Sequence, residues 1–198
     1  MESPAPYYAS PFSQNQYLLK RNLLKLVGAQ YHILGPGGDE ILTANQKGWK
    51  LKAEIRISSG GRELVGIFAR QVIDFSAAYD VVDISVEPNV RIGVFKRKGW
   101  KSLLRDEWIM CDAHETEIGS VHEDNMALAV VRRFLTNLVP QNYDAIVNGQ
   151  MVADFRQNFN PFTYNLNIMF PAPEASFDRR LGIAAAVLLA SIEGRQRG

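Results

Sequence analysis

Six cations crowd one short stretch of this chain. Arg91, Lys96, Arg97, Lys98, Lys101 and Arg105 lie between residues 91 and 105, with no carboxylate among them and Trp100 in their midst. Cations interleaved with an indole suit an anionic membrane surface: the cations meet lipid phosphates and the indole settles at the interface. The same pattern could meet the phosphates of a nucleic acid. A plainer reading competes with both. The next stretch carries Asp112, Glu115, Glu117, Glu123 and Asp124, so adjacent hairpins could neutralise each other across strands. The plainer reading comes first, the membrane second and nucleic acid last. If a lipid site exists, its residues are Lys96, Arg97, Lys98, Trp100, Lys101 and Arg105.

Other reactive residue types are scattered. His114 and His122 lie among carboxylates, but on opposite arms of one expected hairpin, at no recognised ligand spacing; His32 belongs to another strand. No metal site is expected. Cys111 ends the apolar run WIMC without a cationic neighbour in sequence, which reads as a buried, inert thiol. Gly35-Pro36-Gly37-Gly38 lacks the Lys-Ser/Thr of a phosphate loop and falls between strands, so it reads as a turn. Asp106 and Glu107 are adjacent, hence on opposite faces of a strand, which does not suit joint acid–base work. No nucleophile or metalloprotease motif is present in the sequence. The expectation is a protein that is not an enzyme and takes no cofactor.

The composition sets the frame for these residues. The chain has 198 residues, 46% hydrophobic and 22% charged, the mix of one folded domain. Its 22 basic and 21 acidic residues exclude a strongly basic nucleic-acid binder. A single cysteine excludes a disulfide framework. The start, MESPAPYYASPFSQNQ, lacks the cationic and apolar regions of a secretory signal and reads as a disordered arm over residues 1–13.

The elements that must carry these residues repeat weakly. A strand, a polar turn and a second strand with a small residue recur, the small residue being Gly66, Gly93, Gly119 or Ala153. Two positions on stands Phe68, Phe95, Val121 or Phe155, on the same face as the small residue. Thr43 in EILTANQ marks a degenerate first copy. The leading strands hold residues 31–34, 53–57, 79–82, 108–111 and 143–147. Turn chemistry follows each of them, at 35–39, 58–61, 87–89, 112–116 and 148–149. A last strand over 164–170 puts Leu166, Ile168 and Phe170 on one face.

Two helices interrupt the strands. Residues 124–138 have a capping residue at the start and Pro140 just beyond the end. The second helix starts at an N-cap, Asp178, carries Arg179 and Arg180 in its first turn, and has Gly194 as its stop. Its stretch from Leu181 to Ile192 is apolar all round. That stretch is well short of the roughly 20 residues that span a bilayer, so no transmembrane segment is expected. It is also thin, because Gly182, Ala184, Ala185, Ala186 and Ala190 carry little side chain. A thin apolar helix after antiparallel hairpins points to a sheet closed around it as a barrel, which also removes exposed edges. Asp178, Arg179 and Arg180 then cap the helix and bond the barrel rim.

The hairpins, the helix before Pro140-Gln141-Asn142-Tyr143, the NGQMVADFRQ hairpin and the terminal Asp178-Arg179-Arg180-Leu181 helix together resemble the tubby C-terminal-like superfamily. The likeness is to its LURP-one-related and phospholipid-scramblase-like branch, over residues 14–198. It implies a mainly β fold: a closed antiparallel barrel of about twelve strands around the buried C-terminal helix. It also implies binding to phosphoinositides or other anionic phospholipids. No calcium-binding segment flanks the terminal helix, which argues against calcium-driven scrambling. The expected function is a non-enzymatic binding module, peripheral on anionic phospholipid or phosphoinositide through residues 91–105. The alternative is a soluble protein-interaction or regulatory scaffold with no lipid role. Scrambling ranks below both. The expected location is cytoplasmic, at the inner membrane surface in the lipid reading.

Overall fold

The structure is a computed structural model that describes residues 10–22, 29–47, 54–70, 77–97, 107–123, 141–158, 160 and 163–196. The expected helix over 124–138 lies outside these residues. Twelve strands occur among them: β1 (Gln16–Asn22), β2 (Ala29–Leu34), β3 (Glu40–Lys47), β4 (Glu54–Ser59), β5 (Arg62–Ala69), β6 (Ala78–Asp83), β7 (Val90–Arg97), β8 (Glu107–Cys111), β9 (Glu117–Glu123), β10 (Asn142–Val147), β11 (Gln150–Asn158) and β12 (Thr163–Met169). Each strand pairs antiparallel with its sequence neighbour, and β1 pairs with β12, so the sheet closes as a barrel. After a 3-10 turn at Glu174–Ser176, helix α1 (Arg179–Gln196) runs through the bore.

The helix fits because it is thin. Every residue from 181 to 191 is buried. Phe170 and Phe177 crowd Gly182, where a Cβ would stand 2.3 Å from the Phe170 ring. Around α1 the inward positions alternate along each strand: Tyr17 and Leu19, Tyr31 and Ile33, Ile55 and Ile57, Val65 and Ile67, Tyr164, Leu166 and Ile168. Each large apolar side chain taken out of water contributes about 1.5–3 kcal/mol. The helix contributes the same burial from all its faces, which an amphipathic helix could not. It also continues past Gly194 to Gln196 instead of stopping there, because Gly194 keeps helical backbone.

The turns expected at residues 35–39, 58–61, 87–89, 112–116 and 148–149 all join consecutive strands. Gly60 and Gly61 both have positive φ, as do Asn148 and Gly149, the requirement of a two-residue hairpin turn. Each of these five hairpins carries a register shift just above its turn. The extra residue in the second strand is Ile41, Leu64, Ile92, Ile118 or Val152, always an aliphatic. A bulge bends and twists a strand, which is how a barrel rim is drawn in.

This bulge corrects the register of the repeat. The equivalent positions after it are Leu42, Val65, Gly93, Gly119 and Ala153, and all pair into the inner face. Gly66 and Thr43 sit one residue further on and face outward. There Phe68 folds back over Gly66, whose Cβ would stand 2.4 Å from the Phe68 ring. The packed part of the domain also begins before residue 14, since Phe12 lies in the core cluster.

Candidate functional site

The basic stretch divides between two faces of β7. Arg91 and Lys96 face outward, where Glu115 meets both. Arg91 Nη1 donates to Glu115 Oε1 at 3.0 Å and Lys96 Nζ to Glu115 Oε2 at 2.9 Å. Arg70, just past β5, donates to Glu115 Oε1 at 2.8 Å and makes a two-pronged bond to Asp80 at 2.6 and 2.8 Å. Three cations and two carboxylates thus form one network across the outer wall from β5 to the β8–β9 turn. The turn aims Glu115: Asp112 Oδ1 accepts from the His114 and Thr116 N–H groups, and Glu115 takes a left-handed φ of 67°. Hydrogen bonds from Arg70 and Lys96 hold the Glu115 carboxyl down at about 2.

Arg97 takes the other side. It follows Phe95 in the inward alternation, pairs opposite Trp108, and has its Nε buried. The remaining candidates, Lys98, Trp100, Lys101 and Arg105, lie outside the described residues. Arg91 and Lys96 are therefore both paired, with the same Glu115 that the sequence places in the facing acidic stretch.

The helix start forms a rim site. Asp178 Oδ1 accepts from the Arg180 N–H at 3.0 Å, capping α1. Arg180 also bonds Asp83 at 2.7 Å. Burial alone would raise the Asp83 carboxyl, but bonds from Ser85 and Arg180 hold it below its ordinary value. Arg179 is buried and bonded through both terminal nitrogens: Nη1 donates to Ser13 O at 2.6 Å and Gln14 O at 3.1 Å, Nη2 donates to Asn15 Oδ1 at 2.6 Å, and the guanidinium lies over the Phe170 ring. Tyr17 donates to Pro11 O at 2.9 Å, and burial pushes its hydroxyl up to about 12. These bonds tie the chain's entry into β1 to the start of α1.

The opposite mouth holds a residue that the sequence reading passed over. Arg21 on β1 is 8% exposed, and its one charge contact among the described residues is the Tyr31 ring, 5.6 Å away. A desolvated cation over a ring gains about 2 kcal/mol. That is less than the several kcal/mol that burying an unpaired ion costs. Parity could have found it, since Tyr17, Leu19 and Arg21 alternate, but nothing in β1 marks which face is inner.

The other reactive types are placed as follows. His32 contacts Glu40, His114 sits in the β8–β9 turn, and His122 lies opposite Glu107 and Asp144. Among the described residues no cluster of His, Cys, Asp and Glu could hold a metal ion. Cys111 is buried, and burial pushes its thiol up. A small apolar gap of about 10 Å³ beside α1 is lined by Phe95, Trp108, Val121, Ala185, Leu188 and Leu189. No helix among the described residues is long and apolar enough to cross a membrane. The chain matches no protein-family model, and a search of curated proteins likewise finds no match.

Proposed function

We propose that this chain is a non-enzymatic binding module, and that its partner is a protein rather than an anionic membrane. One observation carries the choice of partner: among the described residues, the outward cations of the basic stretch, Arg91 and Lys96, are already bound by Glu115. A lipid phosphate would have to displace a carboxylate that several cations share. The helix-filled bore supports a surface role, because a chamber for a substrate would need the space that α1 occupies. A closed barrel of twelve strands around a C-terminal helix is also the fold implied by the tubby-like resemblance, which supports that assignment.

The test is co-flotation with neutral, phosphatidylserine-containing and phosphoinositide-containing vesicles, at low and physiological salt. The expected result is no salt-sensitive binding to the anionic sets. Binding that is lost when Lys98, Lys101 and Arg105 become glutamate would replace this reading with the membrane one. A defined protein partner whose binding survives that charge reversal supports it.

A further inference from the structure

The two mouths of the barrel treat a buried arginine differently. Where α1 begins, Arg179 has three oxygen acceptors and a ring. Towards the other mouth, Arg21 is almost as buried and, among the described residues, has only the face of Tyr31. The register of β1 sets Tyr31 on one side of it and Tyr164 on the other. An arginine stacked on a ring keeps the edges of its planar fork free to donate. Among the described residues no oxygen accepts from it, so the cation is held in place with donors to spare.

A second donor stands on the same tyrosine. The Tyr31 hydroxyl donates to Gln46 Oε1 at 3.3 Å, and Ser191 of α1 donates to the same oxygen at 3.0 Å. Two donors on that oxygen orient the amide and leave its NH2 group to bond elsewhere. No described Asp or Glu pairs with Arg21. Burying a guanidinium without a counter-charge is unfavourable, and a carboxylate or phosphate that accepts from both edges of the fork removes that cost.

We infer that this mouth binds a small oxyanion, the phosphate of an ester or the carboxylate of a small acid, with Arg21 as anchoring cation and the Gln46 amide as second donor. The inference goes beyond the proposed module role and does not depend on which partner the outer wall meets.

The experiment is thermal unfolding of the full chain with increasing inorganic phosphate, with acetate, and with chloride at matched ionic strength. The first two arms separate a phosphate from a carboxylate preference. Phosphate or acetate should raise the melting temperature saturably, by about 5 °C or more once the anion is about 100-fold above its Kd, while chloride does not. Arg21→Met should lose that rise. Arg21→Lys, which keeps the charge but not the fork, should need about tenfold more anion. Lys96→Met, on the outer wall, should respond like the wild type. A wild-type response equal to that in chloride overturns the site, as does an undiminished rise in Arg21→Met. If Arg21→Met does not fold, an unchanged anion requirement in Arg21→Lys overturns it instead.

Discussion

Glu115 shows how one side chain can gather cations that lie far apart in the sequence. Its carboxyl sits at about 2, against 4.5 for a free glutamate, because Arg70 and Lys96 bond the ionised form. A depressed carboxylate contributes stability that is present above the unfolded value and lost as pH falls through the folded one. The melting temperature should therefore fall between about pH 4.5 and 2 partly through this group. Glu115→Gln should flatten that limb, and 1 M salt should shrink the difference at neutral pH, because the network is exposed to solvent. Melting curves across pH in both proteins check this; superimposed acid limbs would remove Glu115 from the account. Arg179 makes the opposite case, a buried cation held by three oxygen acceptors. Arg179→Met leaves Ser13 O, Gln14 O and Asn15 Oδ1 without their donor, and should cost about 3 kcal/mol in urea unfolding. Sequence reasoning found the cations of the outer wall and the capping trio at 178–180, because runs and caps are local patterns. It could not find that Glu115 serves Arg70, Arg91 and Lys96 together, since that meeting depends on how a turn folds across strands. Arg21 escaped for the converse reason: a lone arginine in a strand looks exposed until the barrel closes.

At the scale of elements, the chain repeats a bulged hairpin rather than a small-then-large pair. The five bulge residues are aliphatic, and the position after each points inward. Where that inward position is glycine, the backbone comes close. A Cβ on Gly119 would stand 2.0 Å from Ile146 O, a main-chain atom fixed by the β9–β10 ladder. A Cβ on Gly182 meets the Phe170 ring and, at 3.2 Å, the Phe177 ring, both side chains that can turn. Gly119→Ala should therefore cost more than Gly182→Ala, with the latter near the usual 1–3 kcal/mol of overpacking. Urea unfolding of the two variants checks the order, and a reversed order would mean that α1, not the β9–β10 contact, is the tighter fit. The strands of the five hairpins were legible because period-two alternation and glycine turns mark them. β1 was not. Leu18 faces outward beside Leu19, and Arg21 faces inward, so the alternation that defines a strand is blurred at both positions. The strand that closes the barrel thus carried the weakest signal of the twelve.

The whole molecule poses a problem of order. Its central element, α1, comes after all twelve strands in sequence, and the seam that seals the barrel joins β1 to β12. The hairpins from β2 to β11 pair over short sequence distances, whereas β1 meets β12 across nearly the whole chain. Closing so long a loop costs entropy before its contacts form, which makes the seam a late event. It cannot seal before α1 lies inside, so helix insertion and closure belong to one cooperative step. Leu19 tests this, being fully buried and paired with Leu166 across the seam and Ile33 on the other side. Leu19→Ala should destabilise by about 3 kcal/mol. If the seam forms late, that loss falls on unfolding, which should quicken about 100-fold while folding barely changes. Ile67→Ala, inside the β4–β5–β6 meander, should divide its loss between both rates. Denaturant-jump kinetics on the two variants separate the cases. A slowed folding limb in Leu19→Ala would place the seam in the folding nucleus, and the barrel would then close around α1 from its ends inward.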